Sequence, residues 1–156
     1  MLFRSYLAWR IENELGQSFR FVELANQVNS SMPSYVVERT RAMLAAQSRT
    51  LAGAKVLLLG LSFKKGTSDC RESPSIHVAE LLLAGGAHVV AADPYVAPLN
   101  LPDLPIGLVP FGPDALGSAD IVLLLVDHPE FEPALLSRHS RLLLDTKGVM
   151  RGDRKS

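Results

Sequence analysis

The chain has 156 residues, 47% of them hydrophobic, with 16 basic and 16 acidic side chains. That length suits one ordinary domain with an attached piece, and the balanced charge argues against bulk electrostatic binding to nucleic acid or anionic membrane. No apolar run approaches the roughly 18 residues a membrane span needs, the opening residues are not those of a signal peptide, and the single cysteine excludes an internal disulfide and fits the reducing cytoplasm.

Residues 1–50 read as helix, with no strand candidate. SYLAWRIENEL sets Tyr6, Leu7, Trp9, Ile11 and Leu15 at helical spacing, with Gly16 as a stop. Trp9 is expected to be an interface or core aromatic. FRFVELANQVNSSMPSYVVERTRAMLAA then lines up Phe21, Leu24, Val28, Met32, Val36 and Met43, a stripe widened by Ala25 and Val37. Pro33 should kink or split this helix, with Ser31 available as a cap for its second half. A stripe with no sheet of its own must be buried on a neighbouring domain or a second subunit. We expect a homodimer through residues 20–48.

From residue 51 the pattern changes. KVLLLG, HVVAAD, IGLVPF, IVLLLVD and RLLLD are short apolar runs of buried-strand length. Between them, SPSIHVAELLLAGG reads as a helix with a serine cap and a glycine stop, and GPDALGSA and HPEFEPALLS read as shorter helices. Alternating strands and helices predict an α/β fold: a Rossmann-like parallel sheet of about five strands over 51–150, flanked by helices and preceded by the long helical segment. PLNLPDLPI is a proline-rich surface loop, and residues 151–156 form a polar tail.

The first strand empties into GLSFKKGTSDCRESPS. In an open parallel sheet, ligands gather at the carboxyl ends of the strands, so this loop is the place to look. A dinucleotide fingerprint would need G-x-G-x-x-G, but Leu61, Ser62, Phe63, Lys64 and Lys65 separate Gly60 from Gly66. Asp93, at the end of the second strand, stands where a ribose-binding acid would. The phosphate-loop pattern also fails. What remains is a loop that binds through side chains: Lys64 or Lys65 can reach a phosphate, Phe63 can pack on a flat base, and Arg71 and Glu72 can brace the loop. The same composition equally describes a solvated loop with idle lysines. His77, His88, His128 and His139 share no ligand spacing, so no metal site is expected.

GLSFKKGTSDCRESPSIHVAELLLAGGAHVVAADPYV resembles the opening of the C-terminal UDP-binding domain of the UDP-glucose/GDP-mannose dehydrogenase family. Lys64, Asp69, Arg71, Glu72, Ser73, Pro74, Asp93, Pro94 and Tyr95 match its Phe/Tyr-Lys, Asp-x-Arg-Glu-Ser-Pro and Asp-Pro-Tyr-Val motifs. Upstream, YLAW and F-x-ELA-x-x-VN-x-x-MP-x-YVV are similar to the family's central helical region, in the branch acting on UDP-N-acetylhexosamines. The resemblance implies an oxidation of the sugar C6 alcohol to a carboxylate, with two NAD consumed. In the family an N-terminal domain holds NAD, a central helical region supplies the dimer contact, and a C-terminal domain grips the UDP.

By the same resemblance, Phe63, Lys64 and Lys147 contact the UDP-sugar, with Lys147 in LLLDTKGVM standing at a family arginine. Arg71 and Glu72 are expected to be a loop-bracing pair. The family's nucleophilic cysteine is expected to fall just before Met1, and the NAD domain is expected to be absent. The chain alone is therefore expected to carry no catalytic residue, to bind no cofactor and to be inactive. It would be the UDP-sugar-binding portion of a 6-dehydrogenase, or alternatively a stand-alone UDP-sugar-binding or dimerisation module. Cys70 sits at a variable position of the Asp-x-Arg-Glu-Ser-Pro motif and is read as a space-filling residue, not the nucleophile.

Overall fold

A helix, α1 (Phe19–Ala45), leads into a sheet of five parallel strands: β1 (Lys55–Leu59), β2 (His88–Ala92), β3 (Gly107–Leu108), β4 (Ile121–Leu124) and β5 (Leu143–Asp145). The connecting helices are α2 (Pro74–Ala84), α3 (Pro113–Ser118) and α4 (Pro133–His139), with α5 (Val149–Gly152) after the last strand. This computed structural model describes residues 19–152. The first predicted helix, with Trp9, and residues 153–156 of the tail lie outside the described residues, as do the side chains of Leu24 and Val28.

The chain divides into two compact units, Met1–Met32 and Pro33–Ser156. The second holds the sheet and the last three turns of α1. Its strands run in the order β3-β2-β1-β4-β5, with Leu57 in register with Val90 on one side and Val122 on the other. Because strand side chains alternate, β1 feeds two cores. Val56 and Leu58 join Val36, Val37 and Leu44 of α1 and Ile76, Ala79 and Leu82 of α2, while Leu57 and Leu59 join Leu116 of α3 and Leu136 of α4. The sheet is covered on both faces, which is why its strands read as unbroken apolar runs.

Local chemistry explains the boundaries. Helices α2, α3 and α4 each begin on a proline, whose missing N–H is no loss in a first turn. Ser73 caps α2 through its hydroxyl, which accepts from Ser75 N at 3.2 Å, and Gly86 follows the helix at φ +88. Strand β3 covers two residues where the sequence predicted six. It is an edge strand, and Pro110 has no N–H to continue the ladder beyond the Val109 N bond to Ala91 O. Pro33 does not split the helix: α1 runs through it from Phe19 to Ala45. Proline forfeits one i→i−4 bond there, and burial of Pro33, Val36, Val37 and Leu44 offsets it. Arg151 and Gly152, expected in the frayed tail, belong to α5.

The amino-terminal edge of the sheet is pinned by Asp120. Its carboxylate accepts from Lys55 N at 2.8 Å, its own N–H donates to Lys55 O, and Arg49 forms an ion pair with it. The Lys55 N–H, then Arg49, hold the Asp120 carboxyl below the ordinary carboxylate range. A depressed carboxyl stabilises the fold above its unfolded value and loses that contribution as pH falls through the folded one. Asp120→Asn should therefore cost about 1–2 kcal/mol near neutral pH, after discounting for the exposed Arg49. It should cost little near pH 2. Urea midpoints at the two pH values check this; an equal loss at both would mean the charge does not matter.

Candidate functional site

Strand β1 has β2 on one side and β4 on the other. The chain runs outward from β1 to β3, then returns to begin β4, so the order reverses between β1 and β4. The carboxyl ends of that pair form the crevice where such sheets hold ligands, and the loops after β1 and β4 meet there.

Gly60 makes the meeting possible. Its φ is +93, and a Cβ built on it would lie 2.4 Å from Val126 Cβ and 2.9 Å from Val126 N. Only glycine fits where two backbones approach this closely with that φ. Beyond it, Leu61 N and Ser62 N both donate to Asp93 Oδ2, at 2.8 and 3.1 Å, and Tyr95 N donates to Asp93 Oδ1 at 2.9 Å. The side chain of Asp93 is fully buried. Its carboxylate is thus the anchor of the β1 loop and has no oxygen facing a ribose. Bulky Leu61 and the buried Ser62 stand where a pyrophosphate would need bare backbone. The residues present do not fit a dinucleotide.

His128, in the loop after β4, is the second anchor and was not singled out in the sequence. Its fully buried ring lies with Nε2 3.1 Å from both Asp93 Oδ2 and Ser62 Oγ, and Gly66 N donates to Nδ1 at 3.2 Å. An acceptor at Nδ1 places the proton on Nε2, whence it is shared between Asp93 and Ser62. Ser62 Oγ in turn donates to Lys64 O at 2.9 Å. A serine, a histidine and an aspartate in mutual contact suggest hydrolytic chemistry, but here Ser62 and Asp93 meet the same ring nitrogen. The imidazole cannot take a proton from one while being oriented by the other. The trio is structural. Tyr95 and Phe131 close round the ring at centroid distances of 4.8 and 5.5 Å, and the Tyr95 hydroxyl donates to Glu130 Oε1 at 2.6 Å. That hydroxyl holds the Glu130 carboxyl below its usual range.

The tip of the β1 loop is folded on itself. Phe63 N donates to Asp69 O at 2.7 Å, and Thr67 reaches Lys64 O through both its N–H and its hydroxyl. The backbone of Lys64 is therefore held while its side chain is free to project. Phe63 is 50% exposed, and the Lys64 ammonium lies 5.9 Å from its ring centroid, the outer limit of a cation–π contact. Lys65 is exposed beside them. Lys147 leaves β5 at the same carboxyl edge, separated from β1 by β4. It sits in a turn built on Asp145, whose carboxylate accepts from Lys147 N, Gly148 N and Met150 N.

Arg71 meets Asp69, with Nε 3.1 Å from Oδ1, rather than the neighbouring Glu72. The Arg71 side chain depresses the Asp69 carboxyl. Glu72 contributes through its backbone, turning the chain at φ +56 just before the Ser73 cap. Cys70 is buried, donates to Asn100 O at 2.8 Å, and has its thiol pushed upward chiefly by burial. That is the environment of a packed thiol, not of a thiolate nucleophile. Among the described residues no cluster of His, Cys, Asp and Glu could hold a metal ion, and no helix is long and apolar enough to cross a membrane.

Residues 57–152 match the family model described as UDP-glucose/GDP-mannose dehydrogenase family, UDP binding domain. The chain is 31% identical over 153 residues to a UDP-N-acetyl-D-mannosamine dehydrogenase of Escherichia coli (strain K12), covering 92% of this chain and 36% of that protein. It is 32% identical over 143 residues to an NDP-N-acetyl-D-galactosaminuronic acid dehydrogenase of Ralstonia solanacearum, covering 90% of this chain and 33% of the relative. In structure it resembles a UDP-glucose dehydrogenase of the archaeon Pyrobaculum islandicum, with a TM-score of 0.70 and 31% identity over 87% of this chain and 31% of the other. The chain thus spans about a third of the length of the curated relatives it matches.

Proposed function

The chain belongs to the UDP-glucose/GDP-mannose dehydrogenase family through its UDP binding domain, and from that premise we propose that its carboxyl edge binds the UDP part of a nucleotide sugar. One observation carries the reading: Phe63 and Lys64 project side by side from a loop whose backbone is held at Phe63 N, Lys64 O and Gly66 N, at the switch point of the sheet. A half-exposed ring offers a face to a flat base, and an ammonium beside it suits a diphosphate. Lys147, on the same edge, is proposed to add a second positive charge. Arg71 and Asp69 brace the loop from outside.

At the level of the whole protein, we propose that the relatives' chemistry is shared: NAD-dependent oxidation of a UDP-sugar, with this domain holding the nucleotide while other parts supply the dinucleotide site and the nucleophile. The domain itself is proposed to contribute no catalytic group. Its share of the work is to fix the nucleotide end, so that the sugar is presented in one orientation.

Calorimetric titration of this chain with UDP, UDP-N-acetylglucosamine and NAD tests the reading directly. Both uridine ligands should bind and NAD should bind more weakly than either. NAD binding more tightly than UDP would overturn it.

We further propose that α1 carries a homodimer contact within residues 20–48. From Pro33 onward its inner face is occupied, with Val36, Val37, Thr40 and Leu44 buried in the sheet unit, whereas Met32 is 43% exposed. The dimer contact is therefore expected to fall on the N-terminal part of that stretch. Changing Val28 and Met32 to Glu should leave monomers or aggregates. A parent chain that is monomeric by light scattering at about 10–50 µM, where an 8 kcal/mol association would be largely formed, speaks against a dimer.

A further inference from the structure

We infer that His128 is a protonation-dependent latch on residues 62–66, so that the grip of the carboxyl edge on a nucleoside diphosphate follows the state of one buried imidazole. The ligand in this statement rests on the UDP reading above; the latch rests on geometry alone. The segment that carries Phe63, Lys64 and Lys65 is held by the ring at both ends. Ser62 Oγ lies 3.1 Å from Nε2 on one side, and Gly66 N donates to Nδ1 at 3.2 Å on the other. Ser62 passes the restraint on, because its hydroxyl also holds the carbonyl of Lys64.

The two ends respond differently to a proton. The Nε2 end tolerates it, since Nε2 is already a donor facing Asp93 Oδ2 at 3.1 Å. The Nδ1 end does not. A proton there sets an N–H against the Gly66 N–H, and both donors are left without an acceptor in a buried site. Other ionisable groups around the ring are Asp93, from the segment after β2, and the Tyr95–Glu130 pair, whose phenol ring lies 4.8 Å from the imidazole. None of them offers Nδ1 a replacement acceptor in the present geometry. Protonation therefore leaves the loop anchored at Leu61 and Ser62 through Asp93 and frees it at Gly66. The segment that carries the two lysines thus loses one of its two ties to the ring, and Lys64 is left to the bonds that Ser62 and Thr67 make to its carbonyl.

The test uses the full chain and a UDP-sugar, whose diphosphate diester has no oxygen titrating between about pH 5 and 8. Nitrogen NMR should show His128 as the Nε2–H tautomer at about pH 8, and the protection factor of the Gly66 amide should fall at about pH 5 while those of Leu57 and Val122 hold. UDP-N-acetylglucosamine affinity should weaken about three- to tenfold over the same interval, the loss of roughly one hydrogen bond. His128→Phe keeps the ring packed against Tyr95 and Phe131 but offers no polar edge. It should weaken binding by a similar factor at the higher pH and abolish the pH dependence, whereas His128→Gln should recover part of the affinity. An Nδ1–H tautomer, or Gly66 protection unchanged between the two pH values, overturns the latch even if His128→Phe fails to fold. Affinity that is flat with pH in the parent chain overturns it too. If no UDP-sugar binds at any pH, the UDP reading fails instead, and the tautomer and the Gly66 protection decide the latch on their own.

Discussion

Gly60→Ala should lower stability by about 2–5 kcal/mol, against about 1–2 kcal/mol for Gly53→Ala. Both glycines hold positive φ, +93 and +81, so both variants carry the cost of putting a side chain in the left-handed region. They differ in space. Nothing lies within 4 Å of a Cβ at Gly53, whereas at Gly60 the new atom meets Val126 Cβ at 2.4 Å, Cγ2 at 2.8 Å and the Val126 backbone nitrogen at 2.9 Å. Two of these three obstacles, the Cβ and the main-chain nitrogen, are fixed by the backbone rather than being the far end of a flexible side chain. A rotamer change cannot clear them, and Val126→Ala would not relieve the clash. The ends of β1 and β4 would have to part, and with them the two bonds from Leu125 N and Val126 N to Leu59 O, 3.0 and 3.1 Å long. For a domain whose whole stability is of order 5–15 kcal/mol, that is a large fraction. Urea unfolding of the two variants beside the parent measures it. Equal midpoints for Gly53→Ala and Gly60→Ala would mean the strands tolerate separation at the switch point, and that the site does not depend on their close approach.

Much of this architecture is legible in the sequence, for specific reasons. Runs such as KVLLLG and IVLLLVD announce strands covered on both faces, and the serine, proline and glycine around α2 mark its ends, because those signals are local. What was not legible depends on partners distant in sequence. Asp93 looks like a ribose-binding acid from its place at a strand end. Its actual partners, Leu61 N and Ser62 N, are 32 and 31 residues away, and only the pairing of β1 with β2 brings them together. His128 has no ligand spacing to the other histidines, and its signal is topological: in a parallel sheet, a titratable residue just beyond the carboxyl end of a strand beside the switch point falls at the site. Val36 shows the same limit. In sequence it belongs to a stripe that needs a cover, and folding supplies that cover from the sheet's own α-facing core.

The loop after β1 makes its strongest commitment in the contrast between two adjacent lysines. Lys64→Ala should weaken UDP binding about ten- to a hundredfold, the worth of one hydrogen bond to a charged group, whereas Lys65→Ala should change it by less than about twofold. The two side chains share charge, length and exposure, so net electrostatic attraction predicts equal losses. The structure separates them by anchoring. The Lys64 carbonyl accepts from Ser62 Oγ at 2.9 Å, from Thr67 Oγ1 at 3.0 Å and from Thr67 N at 3.3 Å, and its ammonium already rests 5.9 Å from the centre of the Phe63 ring. A side chain launched from so fixed a backbone gives up less freedom on binding. Phe63→Ala should reproduce part of the Lys64 loss, since it removes both the base platform and the surface that steers the ammonium. Lys147 offers the complementary gain: arginine at this position restores a planar fork that can hold two phosphate oxygens at once. The turn that presents it is fixed by Asp145, which accepts from the backbone of residues 147, 148 and 150, so Lys147→Arg changes the head group without disturbing its mount. It should tighten UDP binding about three- to tenfold. Isothermal titration of the four variants with UDP at fixed pH and salt decides among these. Equal losses at Lys64 and Lys65 would show that the loop acts only as a patch of charge and that its ordered backbone serves folding rather than recognition.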